Sequence, residues 1–147
     1  MGNSTYTAPR LHRAKVFNVG GQTIAQNVLV PVTLNTVSYN VGSLGTSGNV
    51  ITLKADGIYH IIAFVLFGQP NPFSGGDYHQ VTVTAGGNTV SGIVNSGVSD
   101  FAGSTRATWV GQLSSGDTVS MTAKHNGSGG IDLTAETSLA VQMLRRL

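Results

Sequence analysis

At 147 residues with no cysteine, the chain has the size of one domain, burying about 70% of the surface its unfolded form would expose, and disulfide scaffolds and thiolate metal sites are excluded. Charged residues are 10% of the chain against a usual ~25%, so solubility rests on Gly, Ser, Thr and Asn. The net charge of +2 is too small to steer a polyanion by itself, and no run approaches the ~18 apolar residues of a membrane span, so neither nucleic-acid binding nor membrane insertion is expected.

Residues 1–12, with Pro9 and no periodicity, read as an N-terminal arm, and residues 13–147 as the domain. The start MGNSTYTAPRLHR has no apolar h-region, which predicts a product made in the cytoplasm. Before Asp56 the chain carries Arg10, Arg13, Lys15 and Lys54 and no acid; Arg145 and Arg146 make its other end basic as well. Short β-branched runs then alternate with Gly, Asn, Ser and Pro clusters about every ten residues, the pattern of an all-β sandwich or barrel. The expected strands are Arg13 to Val19, Val28 to Tyr39, Asn49 to Ala55, Ile58 to Phe67, Tyr78 to Ala85, Thr89 to Val94, Ala107 to Leu113, Thr118 to Lys124 and Thr137 to Arg145.

Most of these strands have one wet face, as where Val119, Met121 and Ala123 alternate with Thr118, Ser120 and Thr122. DGIYHIIAFVLFGQ does not alternate: His60 is the one strongly polar side chain between Ile58 and Phe67. Even-numbered Ile62, Phe64 and Leu66 share a face with His60, and odd-numbered Tyr59, Ile61, Ala63, Val65 and Phe67 line the other. One face fills the core. The other would be an apolar patch too large for a soluble monomer, which marks an interaction surface and predicts self-association.

Catalytic chemistry finds little support. His12, His60, His79 and His125 are scattered in sequence without metal spacing, predicting surface or interface histidines and no metal site. Asp56 and Asp117 fall in Asp-Gly and Gly-Asp turns, where bonding to the backbone explains them better than acid-base work. VGSLGTSGNV lacks the following helix that a phosphate cradle requires and reads as a loop. Trp109 shares a strand face with Leu113 and reads as core filler. No catalytic residue and no cofactor is expected.

From about Ala14 to Leu144 the chain resembles the trimeric jelly-roll heads of the complement C1q and tumour necrosis factor superfamily. The likeness lies in AKVFNV, PVTLNTVSYN, GNVITLKADGIYHIIAFV with its Gly-x-Tyr, WVGQLSSGDTVSM with its Leu-x-x-Gly-Asp-x-Val, and the apolar last strand SLAVQML. The resemblance implies a ten-stranded, two-sheet jelly roll assembled as a homotrimer. It places His60, Ile62, Phe64, Leu66, Val110, Leu139 and Val141 at the trimer interface, with Tyr59 and Ile61 in the core. Three copies of His60 near an axis would loosen the trimer at acid pH. The resemblance also brings both chain ends to one side of the head. Tyr6, Arg10, Arg13, Lys15, Arg145 and Arg146 would then form a basic docking base. The last strand lacks the Phe-rich ending common in animal members, and no collagen-like stalk precedes the head, so animal hormone and complement roles are not carried over.

A cysteine-free, Gly/Ser/Thr/Asn-rich trimeric head with a short arm is expected to be a non-enzymatic virion protein of a bacteriophage, a capsid decoration or head-fibre protein docked on a viral capsid or tail protein. The alternatives are a tail-associated receptor-binding head, with Phe73, Tyr78 and Phe101 in loops that touch a host cell-surface glycan, and a bacterial C1q-like adhesion module.

Overall fold

The computed structural model describes residues 11–19, 21–68, 76–95 and 103–147. Tyr6, Arg10, Phe73 and Phe101 lie outside them. Among the described residues every regular element is a strand: β1 (Arg13–Phe17), β2 (Thr23–Ile24), β3 (Val30–Pro31), β4 (Thr36–Val41), β5 (Gly45–Ser47), β6 (Val50–Thr52), β7 (Gly57–Leu66), β8 (Tyr78–Ala85), β9 (Asn88–Asn95), β10 (Ser104–Leu113), β11 (Thr118–His125), β12 (Ile131–Asp132) and β13 (Ser138–Arg146). The inner sheet runs β10-β7-β13-β1-β4; the outer sheet runs β5-β6-β11-β8-β9, with β3 beside β11 and a small β12-β2 pair. All pairings are antiparallel, and the result is a two-sheet jelly-roll sandwich.

Strict alternation builds the core between the sheets. Tyr59, Ile61, Ala63 and Val65 of β7 meet Val81 and Val83 of β8 and Val119, Met121 and Ala123 of β11, all buried. At the base of this core the buried Tyr59 hydroxyl donates to the Ala55 carbonyl at 2.8 Å. Burial first, and the Asp56 charge second, push its pKa up against the opposing pull of Arg146, so the phenol remains a neutral donor. Asp56 and Asp117 do the turn work expected of them, accepting from the Ser115 and Ser114 backbone N–H at 2.8 Å each.

Two expectations change. The single strand from Val28 to Tyr39 is two, because the chain leaves β11 of the outer sheet at Pro31 and joins β1 of the inner sheet from Thr36. One straight strand cannot pair with both layers. VGSLGTSGNV is also more than a loop: Gly45–Ser47 pairs with β6 as a hairpin turned at Gly48, whose φ of 57° suits glycine.

The open side of the inner sheet at β10 is shut by close backbone approach. A Cβ on Gly92 of β9 would lie 1.9 Å from the Arg106 carbonyl oxygen of β10, so only glycine lets the two sheets meet there.

Candidate functional site

The outward face of the inner sheet follows from register. Across the strands β10, β7, β13, β1 and β4, one row reads Val110, His60, Gln142, Arg13 and Val41; the next Thr108, Ile62, Ala140, Lys15 and Tyr39; the next Arg106, Phe64, Ser138, Phe17 and Thr36. Ser104 and Leu66 begin a further row. His60, Ile62, Phe64 and Leu66 are only half-buried on this face, and Val110 is 57% exposed. Alternation groups the first four and the family resemblance adds Val110; the register brings all five onto one face. No second layer of the described chain lies over them.

Leu139 and Val141 do not belong with them. Both are 0% exposed and point between the sheets beside Met143, so they offer no surface to another chain. The outward positions of β13 are Ser138, Ala140 and Gln142. Their small side chains beside Ile62 and Phe64 on β7, and Lys15 and Phe17 on β1, leave a groove along β13 of about 460 Å³, with Arg106, Ala135 and Glu136 at its margins.

Three cations lie over aromatic rings of this face. The Lys15 ammonium is 4.8 Å from the Phe17 ring centre, the Arg13 guanidinium 5.7 Å from Tyr39 and the Arg106 guanidinium 6.0 Å from Phe64. Cation–π attraction offsets part of the desolvation a cation meets at an apolar surface, so these charges are compatible with a covered face. Lys15 therefore belongs to the groove rather than to a basal cluster.

At the chain ends, the Met143 N–H donates to the His12 carbonyl at 2.8 Å and the Leu147 N–H to the Asp56 carbonyl at 3.2 Å. The start of β1 and the end of β13 thus share one end of the molecule, where Arg13, Arg145 and Arg146 are exposed. A cavity of about 530 Å³ beside them is lined by Leu11, His12, Arg13, Val41 and Gln142.

Two of the four histidines depart from the sequence reading. His79 and His125 face each other across β8 and β11 and are 3% and 0% exposed, not surface groups. Both rings pack on Phe67, at 5.8 and 5.6 Å between centres. His125 Nε2 lies 2.8 Å from the Ile24 carbonyl, and burial, then the nearby His125, lower the pKa of His79. The signal was available: His79 and His125 hold the inward parity of Val81 and Ala123. Among the described residues no three His, Cys, Asp or Glu side chains gather as a metal site. Trp109 is half-buried against the core. Of the three candidate receptor residues, Tyr78 is described, with Lys124 stacked at 5.8 Å over its ring.

No family model and no curated protein sequence matches the chain. Solved structures do. Murine APRIL shares 19% identity, with 92% of this chain and 100% of that one aligned at a TM-score of 0.65. The globular domain of zebrafish complement 1qA aligns at 0.68 with 11% identity, covering 92% of this chain and 99% of that one. Eiger TNF from S. frugiperda aligns at 0.61 with 12% identity over 93% and 94%. The fold is the C1q/TNF-like jelly roll.

Proposed function

We propose that the chain is a non-enzymatic homotrimeric head whose subunits meet through the outward face of the inner sheet. One observation carries the reading: Ile62, Phe64 and Leu66 follow one another along the outward face of β7, half-buried, with Val110 57% exposed on the neighbouring strand, and no second layer of the described chain covers them. A stable subunit contact buries roughly 800 Å² per partner, and the face proposed for it spans all five strands of the sheet. The C1q- and TNF-like neighbours are consistent with a recognition or structural module. Asp56 and Asp117 each accept from a backbone N–H group in a turn, a structural use that suits this reading.

The finer reading is a capsid decoration or head-fibre protein of a bacteriophage. The sparse charge, the absence of cysteine and the exposed Arg13, Arg145 and Arg146 at one end support it. That basic end would dock on an acidic protein surface, with residues 1–12 as the anchor. Sedimentation analysis should return three times 15.2 kDa for the assembly, and a monomer at micromolar concentration would sink the trimer. Removing residues 1–12 should abolish attachment to purified particles; full occupancy without them would remove the arm as an anchor. A receptor-binding head would instead keep its particle attachment and lose host adsorption on Tyr78→Ala.

A further inference from the structure

We propose that His79 and His125 form an acid-sensitive latch: on mild acidification the β2–β12 pair lifts from the end of β11 while the main sheets stay closed. The inference concerns contacts inside one chain and stands whether or not subunits assemble.

Its ground is a buried pair of like groups. His79 of β8 and His125 of β11 are register partners, both buried, with both rings resting on Phe67. Cross-strand partners have Cβ atoms about 5 Å apart, so a proton on one ring sets its charge beside the other in a medium that screens it poorly. Closed, the pair accommodates one proton at most. Burial first, and His125 second, disfavour the His79 cation, and no carboxylate counters them. The other ionisable groups at this end are few. Tyr78 and Lys124 flank the pair with outward parity, the ammonium 5.8 Å over the ring. Asp77 is half-buried with an interaction of its own, and Asp132 of β12 is exposed and bonds the Thr23 hydroxyl. β2, β9 and the end of β7 contribute none, and Asp100 lies outside the described residues.

The movable wall follows from the topology. His125 Nε2 lies 2.8 Å from the Ile24 carbonyl. A carbonyl only accepts, so this nitrogen carries a proton in either charge state, and the bond itself does not sense pH. The second proton does, because it enters only when water reaches the rings. Ile24 is their cover, and it belongs to β2, which pairs with β12 over two residues in a small sheet of its own. The walls formed by β8, β9 and β11 are held by ladders running along whole strands. Local opening takes the least-held element first. This end is the one away from the chain ends: Gly57, where β7 starts, pairs with Arg146, and Phe67 follows the finish of β7. Acid therefore alters the end opposite the basic one.

Once open, both rings titrate near 6.5, so at pH 5.5 the second proton favours opening about tenfold. Amide exchange followed by NMR on the full chain reads this. The Asn27 N–H, bonded to the His125 carbonyl at 2.7 Å, and the Gly68 N–H, bonded to the Asp132 carbonyl at 2.7 Å, report the latch. Their protection factors should fall about tenfold between pH 7.5 and 5.5. At pH 5.5 their exchange should be insensitive to low urea, as for an opening of few residues, whereas the buried Ile61 in mid-β7 follows the urea dependence of global unfolding. His79→Phe keeps a ring against Phe67, and His125→Gln keeps a donor for the Ile24 carbonyl; each leaves one imidazole and should abolish the fall, with circular dichroism confirming the fold. Wild-type protection that does not change with pH overturns the latch. So does a fall that persists in either folded variant, or a urea dependence at Asn27 and Gly68 equal to that of Ile61.

Discussion

Ile62→Asn tests the assembly face most directly. Ile62 lies mid-face, opposite Thr108 on one side and Ala140 on the other, and is half-buried in the monomer, so an amide there remains hydrated until subunits meet. Completing the burial of an isoleucine contributes about 1.5 kcal/mol, and an amide covered without a partner costs about as much again. Each interface therefore loses about 3 kcal/mol, and a ring closed by three such interfaces about 9 kcal/mol, more than six powers of ten in the trimerisation constant. Because the half-assembly concentration varies as the inverse square root of that constant, it should rise by about three powers of ten. Sedimentation velocity across a dilution series reads this, with Thr84→Asn on the outward face of the outer sheet as a control that leaves assembly unchanged. If Ile62→Asn assembles at the wild-type concentration while folded, the outward face of the inner sheet is not the interface.

Val141→Ala should behave oppositely, lowering the denaturation free energy by about 2 kcal/mol through a core cavity while the stoichiometry well above the assembly midpoint is kept; dissociation without loss of subunit stability would return Val141 to the interface. Gly92→Ala should cost at least about 3 kcal/mol, because its Cβ would lie 1.9 Å from a backbone oxygen that cannot rotate away, and a wild-type melting temperature would contradict the close approach of β9 and β10. His79, its pKa lowered first by burial and then by His125, takes up its proton more readily unfolded than folded. Its contribution to stability is intact above the unfolded-state value of about 6.5 and declines as pH falls below it towards the lowered native value, by up to about 1.4 kcal/mol at one unit below. Urea denaturation at pH 7.5 and 5.5 should show a smaller difference for His79→Phe than for wild type; equal differences would discount the buried imidazole.

The contrast between β7 and β13 explains what the sequence could and could not specify. In β7 a single polar residue, His60, breaks an apolar run and marks the outward parity, so Ile62, Phe64 and Leu66 follow onto the outward face and Tyr59 and Ile61 into the core. In β13 the same information sits in Gln142, which shares parity with Ala140 and Ser138. Leu139 and Val141 draw attention to the wrong parity because they are the larger hydrophobes, and size reports packing demand, not direction. Packing demand is highest in the core, so the bulkier set turned inward and left Ser138 and Ala140 to floor a groove. A groove made by small residues leaves no apolar trace in the sequence. Nor does the pairing of chain ends, which depends on the register of β1 against β13. The three stacked cations were equally hidden. Lys15 and Phe17 share a strand, but Arg13 meets Tyr39, and Arg106 meets Phe64, only across strand pairs that register defines. Composition and alternation thus specify layers and faces, while what a face can bind is set by cross-strand neighbours, which is why the surface was legible and its charge pattern was not.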